Sequence, residues 1–158
     1  MAFDERSSYD LEEVQVGLLH IQILRFGVAL DLGYDPADLA KEVSEDVFRI
    51  YSALQEDFGN IGDGMNQNCL MVSHLSFDEP YRGSTFELST LRTALIGLSS
   101  GVSRVFLPLS VVNPHINPRD LKELNATALP FCKLGFKPLK LGSCILWLDL
   151  ELLSFWKA

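Results

Sequence analysis

The stretch from Cys69 to Glu87, CLMVSHLSFDEPYRGSTFE, contains a strand, a turn and the opening of a helix. Between Cys69 and Phe77 the side chains alternate, with Met71, Leu75 and Phe77 on one face and Leu70, Val72 and His74 on the other. Both faces are largely apolar, which is the pattern of an interior strand covered by helices on both sides. Asp78, Glu79 and Pro80 form a turn. Leu88, Leu91, Leu95 and Leu98 then recur at helical spacing, and the run from Arg104 to Val112 reads as a second apolar strand. The local unit is therefore strand, helix, strand.

Upstream, the segment from Val14 to Leu30 is apolar and β-favouring, with Gly27 as a bend, and is expected to be one long strand or two strands of a hairpin. Asp35 and Pro36 open a helix with an N-cap carboxylate and a proline whose missing N–H costs nothing in the first turn. Leu39, Val43, Val47, Ile50 and Leu54 continue that helix as an apolar stripe, while Lys41, Glu45 and Arg49 face water. Gly59 to Asn68 is a loop. Downstream, a turn is expected at Asn113-Pro114, helices from Arg119 to Asn125 and after Pro130, and a last strand from Ser143 to Leu152. In that strand Cys144, Leu146, Leu148 and Leu150 form the apolar face. No repeat or low-complexity linker interrupts the 158 residues, so one α/β domain spanning positions 1–158 is expected.

Composition narrows the function classes. Thirteen Lys and Arg against 21 Asp and Glu give a net charge of −8, which opposes tracking a nucleic-acid backbone. Cys69, Cys132 and Cys144 are odd in number and lack the paired spacing of a zinc or redox motif, which points to a reducing compartment and a cytoplasmic location. Apolar runs are broken by Arg25 or Asp149 too early for a membrane span. His20, His74 and His115 stand outside any metal-ligand spacing, so no metal site is expected. Trp147, Phe155 and Trp156 are candidates for an apolar contact with a protein partner or a second copy, and equally for packing under the N-terminal strand.

Two segments carry a family resemblance. The run Phe77-Asp78-Glu79-Pro80-Tyr81-Arg82-Gly83, followed by the leucine-rich helix and by Val105-Phe106-Leu107, resembles the acetyl-CoA-binding core of the GNAT acetyltransferases. The segment from Phe131 to Pro138, with Leu134-Gly135-Phe136, resembles the tyrosine-x-x-leucine-glycine-phenylalanine signature near the end of that fold. The resemblance covers the chain from about Leu70 onward. It implies an α+β fold with a mixed, mostly antiparallel sheet flanked by helices and splayed between its fourth and fifth strands. It also implies a site for acetyl-CoA or another acyl-CoA at Leu75, Phe77, Arg82, Gly83, Ser84, Thr85, Phe86 and Glu87, where helix-opening N–H groups cradle a pyrophosphate.

Three residues depart from the family pattern. Anchoring Arg/Gln-x-x-Gly-x-Gly/Ala on Arg82 puts Thr85 and Glu87 where glycines allow close approach to phosphate. Ser84 and Glu87 have the spacing of a capping box, in which the Glu87 carboxylate occupies the anion position itself. Phe131 stands where many members have the tyrosine that protonates the leaving thiolate. His74 and Glu79, with Asp78, are candidates for the base that an amine acceptor needs, against the alternative that His74 is a core residue and Asp78 and Glu79 belong to an exposed turn. Two functions are therefore expected from the resemblance: a GNAT-fold protein-binding module without acyl-CoA chemistry, or a divergent acyl-CoA-dependent N-acyltransferase.

Overall fold

The computed structural model describes residues 13–57, 68–82, 85–139 and 144–150. Among the described residues five strands form one open sheet: β1 (Gly17–Arg25), β2 (Asn68–Phe77), β3 (Arg104–Pro108), β4 (Lys137–Pro138) and β5 (Ile145–Asp149). Their order is β1-β2-β3-β5-β4. Among these five strands β2 and β3 run parallel, and the other neighbouring pairs are antiparallel. Helices α1 (Phe26–Asp31), α2 (Pro36–Val43) and α3 (Glu45–Asp57) separate β1 from β2. Helix α4 (Thr85–Leu98) is the crossover between β2 and β3, and α5 (Leu109–Val112) and α6 (Leu121–Cys132) follow β3.

Strand alternation sorts the core into two halves, one on each face of the sheet. Leu70 and Val72 of β2, Val105 and Leu107 of β3, and Leu146 and Leu148 of β5 meet Leu91 and Leu95 of α4 and Leu124, Ala128 and Phe131 of α6. On the other face Cys69, Met71, Phe106 and Ile145 meet Phe26, Ala40, Val47, Ile50 and Leu54 from α1, α2 and α3. Each fully buried Leu, Ile or Phe contributes about 1.5–3 kcal/mol, and Leu70, Leu91, Leu95, Phe106, Leu107 and Leu146 are completely shielded. The alternation expected for the last strand is found, with Cys144, Leu146, Leu148 and Leu150 on the first face.

Several sequence expectations need correction. The segment from Val14 to Leu30 is neither one strand nor a hairpin: β1 stops at Arg25, and Phe26 turns into α1 to pack on Tyr51 with ring centroids 5.4 Å apart. The helix opened by Asp35, whose carboxylate accepts from the Ala37 N–H, does not run through to Leu54. Ser44 is extended, ends α2 and caps α3 by accepting the Val47 N–H at 3.1 Å, and Val43 is exposed. The strand expected to reach Val112 ends at Pro108, which has no N–H for a further ladder bond, and Leu109 begins α5. One helix replaces the two expected around Pro130; Asp120 caps it by accepting from the Lys122 and Glu123 N–H groups, and Pro130 lies inside it. Gly135 closes this helix in a left-handed conformation, φ +107°, where a Cβ would also meet Leu148 Cδ1 at 3.1 Å.

The two faces of β2 are also redistributed. His20 of β1 pairs with His74, but Ile21 pairs with Val72, so Ser73 is an extra residue bulged out of β2. A one-residue bulge inverts the alternation beyond it. Leu75 and Phe77 therefore join Leu70 and Val72 in the first core, whereas His74 and Ser76 lie on the other face and are exposed. Gly59 to 67, the strand residues at 143, 151 and 152, and Phe155 and Trp156 lie outside the described residues; Trp147 packs against the second core.

Candidate functional site

The register of β2 with β3 covers Cys69–Met71 against Arg104–Phe106 and then stops. Beyond it β2 continues for six residues to Phe77, paired with β1 alone, while β3 ends at Pro108 and the backbone turns into α5. The gap is a cleft of about 770 Å³. Its walls are β2 from Ser73 to Phe77, Ser110 to Pro114 opposite, Glu87 and Leu88 at the start of α4, and Ala126, Thr127, Pro130 and Phe131 of α6. Arg82 and Asp46 also line it. A smaller cavity of about 220 Å³ shares Asp46, Ser73 and Val111 and adds Gln22, Ser44 and Met71.

The β2 wall presents backbone as well as side chains. The Asp78 N–H donates to the Val16 carbonyl at 2.8 Å, which makes Gly17 and Phe77 a non-hydrogen-bonded pair. By the same alternation the N–H and C=O groups of Leu75 and Phe77 point away from β1, across the edge that β3 has left. Arg82 takes one of them, its Nε donating to the Phe77 carbonyl at 3.3 Å. The opposite wall is fixed by Glu123, whose two carboxylate oxygens accept from Asn113 Nδ2 at 3.1 Å and from the Asn117 N–H at 3.2 Å. On α6, Pro130 has no N–H to give to the Ala126 carbonyl, and both residues line the cleft.

The residues expected at the site are only partly brought together. His74 lines the cleft, exposed, with Nε2 3.0 Å from Ser76 Oγ and its ring edge-on to His20 at 6.5 Å. It is not a core residue. Glu79 and Asp78 are exposed at a 3-10 turn (Glu79–Tyr81) that does not contribute to the cleft walls. Leu75, Phe77, Arg82 and Glu87 line the cleft; Gly83 and Ser84 lie outside the described residues. Thr85 is exposed, and Phe86 packs against Phe77 and Tyr81 with centroids 6.0 and 5.4 Å away. Glu87 is 8% exposed in the first turn of α4, a charged side chain withdrawn into the cleft wall. Phe131 is buried, edge-on to Phe136 at 6.4 Å.

Sequence reasoning missed Asp46, Ser73, Ser110, Thr127 and Pro130 as cleft residues. Pro130 alone left a signal, being a helix breaker in a helical run. Asp46 stands in the first turn of α3, where partial burial pushes its carboxyl up from the ordinary value, with Arg49 opposing and Glu45 adding to the rise. Among the described residues no group of three His, Cys, Asp or Glu side chains is placed to hold a metal ion, and no helix is long and apolar enough to cross a membrane. No protein-family model, curated protein or solved structure matches the chain.

Proposed function

We propose that this chain is a GNAT-like domain that holds a protein partner and does not carry out acyl-CoA chemistry. The observation that carries this is Glu87, a buried carboxylate in the first turn of α4 and in the wall of the cleft. In the GNAT arrangement the opening of that helix receives a pyrophosphate. A carboxylate there gains about 0.3–1 kcal/mol from the helix dipole and repels a second anion entering the same place. Phe131, in the cleft at the position of the family's tyrosine, has no proton to donate to a thiolate. The sheet order, the single parallel pair and the crossover by α4 support the GNAT-like part of the proposal.

One observation favours the second function, a divergent N-acyltransferase. The separation of β2 from β3 leaves a cleft with outward-pointing amide groups of Leu75 and Phe77 along one wall and the His74 imidazole beside them. In this reading such a wall would take an acyl-pantetheine arm, and the His74 imidazole would serve as the base for an amine acceptor. Titration calorimetry with acetyl-CoA and with free coenzyme A, at concentrations that detect a Kd near about 1 mM, separates the two. The expected result is no binding. Micromolar binding of either molecule overturns the protein-binding proposal and makes acyl transfer the function to pursue.

A further inference from the structure

We propose that the chain forms a two-fold symmetric dimer in which β1 pairs antiparallel with β1 of a second copy, with Ile21 on the axis. β1 is nine residues long and lies at the end of the sheet order, and among the described residues no strand occupies its outer side. Edges of this length are normally guarded by Lys, Pro or inward charges. Here the sequence GLLHIQILR has neither Lys nor Pro, and its one charge is the terminal Arg25. Leu18 and Ile23 are 43% and 45% exposed.

The phase of the backbone selects the register. Gly17 and Phe77 are a non-hydrogen-bonded pair, as derived above, so Gly17 and Leu19 direct their N–H and C=O groups outward. The His20 carbonyl accepts from Ser73 Oγ at 3.3 Å and therefore faces β2. The extra residue of the bulge belongs to β2, so the alternation within β1 continues unbroken and Ile21, Ile23 and Arg25 also direct backbone groups outward. Leu19 and Ile21 pack towards the first core and Leu24 towards the second, which agrees with that alternation.

An antiparallel two-fold can sit on an outward residue, at a hydrogen-bonded pair, or on an inward one, at a non-hydrogen-bonded pair. Inward axes at His20 and Gln22 oppose Leu18 to Gln22 and His20 to Leu24, which leaves the outward Leu19, Ile21 and Ile23 as central choices. An axis at Leu19 opposes Leu18 to a polar His20, and an axis at Ile23 opposes Gln22 to Leu24. Only the axis at Ile21 matches like with like. Leu18 then faces Leu24 of the partner subunit, Leu19 faces Ile23 of the partner subunit, and His20 faces Gln22 of the partner subunit. Hydropathy symmetry and backbone phase thus converge on the same residue. The contact is isologous, closes on itself and extends the two sheets into one. It covers both exposed apolar side chains and lies on the side of β2 opposite the cleft, so it is independent of what the cleft binds.

Light scattering on eluting protein, and disulfide trapping, test this on the full chain. At about 100 μM the wild type is expected at twice the monomer mass, and Ile23→Lys, which sets a charge against Leu19 of the partner subunit, at the monomer mass with an unchanged circular dichroism spectrum. In a Cys132→Ser background, Ile21→Cys is expected to cross-link on oxidation, because a hydrogen-bonded pair places the two Cα atoms about 5.5 Å apart, within disulfide range. His20→Cys, offset from its own symmetry mate, is expected to cross-link several-fold more slowly. A monomeric wild type, a dimer that survives Ile23→Lys, or faster trapping through His20→Cys than through Ile21→Cys overturns the proposal.

Discussion

The two ends of β2 have opposite surroundings within one strand. From Cys69 to Met71 it is paired on both edges and covered on both faces, and these three residues are at most 5% exposed. From Ser73 to Phe77 it is paired on one edge, and His74 and Ser76 are open to solvent. Ser73 marks the change, since its bulge falls just past the last residue paired with β3. The closed end contributes stability, while the open end exposes backbone and polar side chains to a cavity, so substitutions at the two ends should separate folding from binding. Phe106→Ala, in the neighbouring strand opposite Met71, is expected to cost about 3–5 kcal/mol in denaturant unfolding because it empties a fully buried ring site. His74→Ala is expected to change stability by no more than about 0.5 kcal/mol. Equal losses at the two positions would break the contrast and return His74 to a structural role.

The contrast is sharpened at the helix that begins beside the open end. Glu87→Gly is expected to lower stability by about 1 kcal/mol from helix propensity alone. If the carboxylate excludes anions from the cleft, the same change and the milder Glu87→Gln should raise coenzyme A affinity by about tenfold, measured by calorimetry against the wild type. A loss of stability without a gain in affinity would leave Glu87 as a helix-start residue with no influence on the cleft.

Much of the closed end was legible in the sequence, because it is made by short-range regularities. Alternation places Leu146 and Leu148 on one face of β5, and the cap at Asp35 starts its helix by a local hydrogen bond. The open end was less legible. Nothing in the string of apolar residues around Ser73 announces a bulge, and without it Leu75 and Phe77 fall on the wrong face. Phe26 to Asp31 contains β-favouring residues, yet the Phe26 ring finds its place against Tyr51 as part of a helix, a tertiary contact that outweighs local preference. Ser44 sits within an amphipathic pattern that runs across it, so the break between α2 and α3 shows only once its hydroxyl is seen to cap the second helix. Asp46, Ser110 and Thr127 meet at the cleft from three separate elements, and no spacing along the chain encodes that meeting.

The smallest effect expected at neutral pH concerns the thiol at the closed end. Burial pushes the Cys69 pKa up from an ordinary 9.0 to about 12, with Arg104 opposing the rise. Below pH 9 the thiol is protonated in both the folded and the unfolded chain, so it contributes no pH dependence there. As pH rises from 9 towards 12 the unfolded chain loses the proton first, and stability falls by up to about 1.4 kcal/mol per pH unit. Unfolding curves of wild type and Cys69→Ala should accordingly have parallel pH dependence up to pH 9 and diverge above it, the wild type losing stability faster. Native alkylation at pH 8 supplies the companion measurement, because reaction requires thiolate. Exposed Cys132 should be modified by iodoacetamide while Cys69 remains intact. Modification of Cys69 at a comparable rate would mean that the paired, covered end of β2 opens in solution as readily as the cleft end, which would remove the distinction between them.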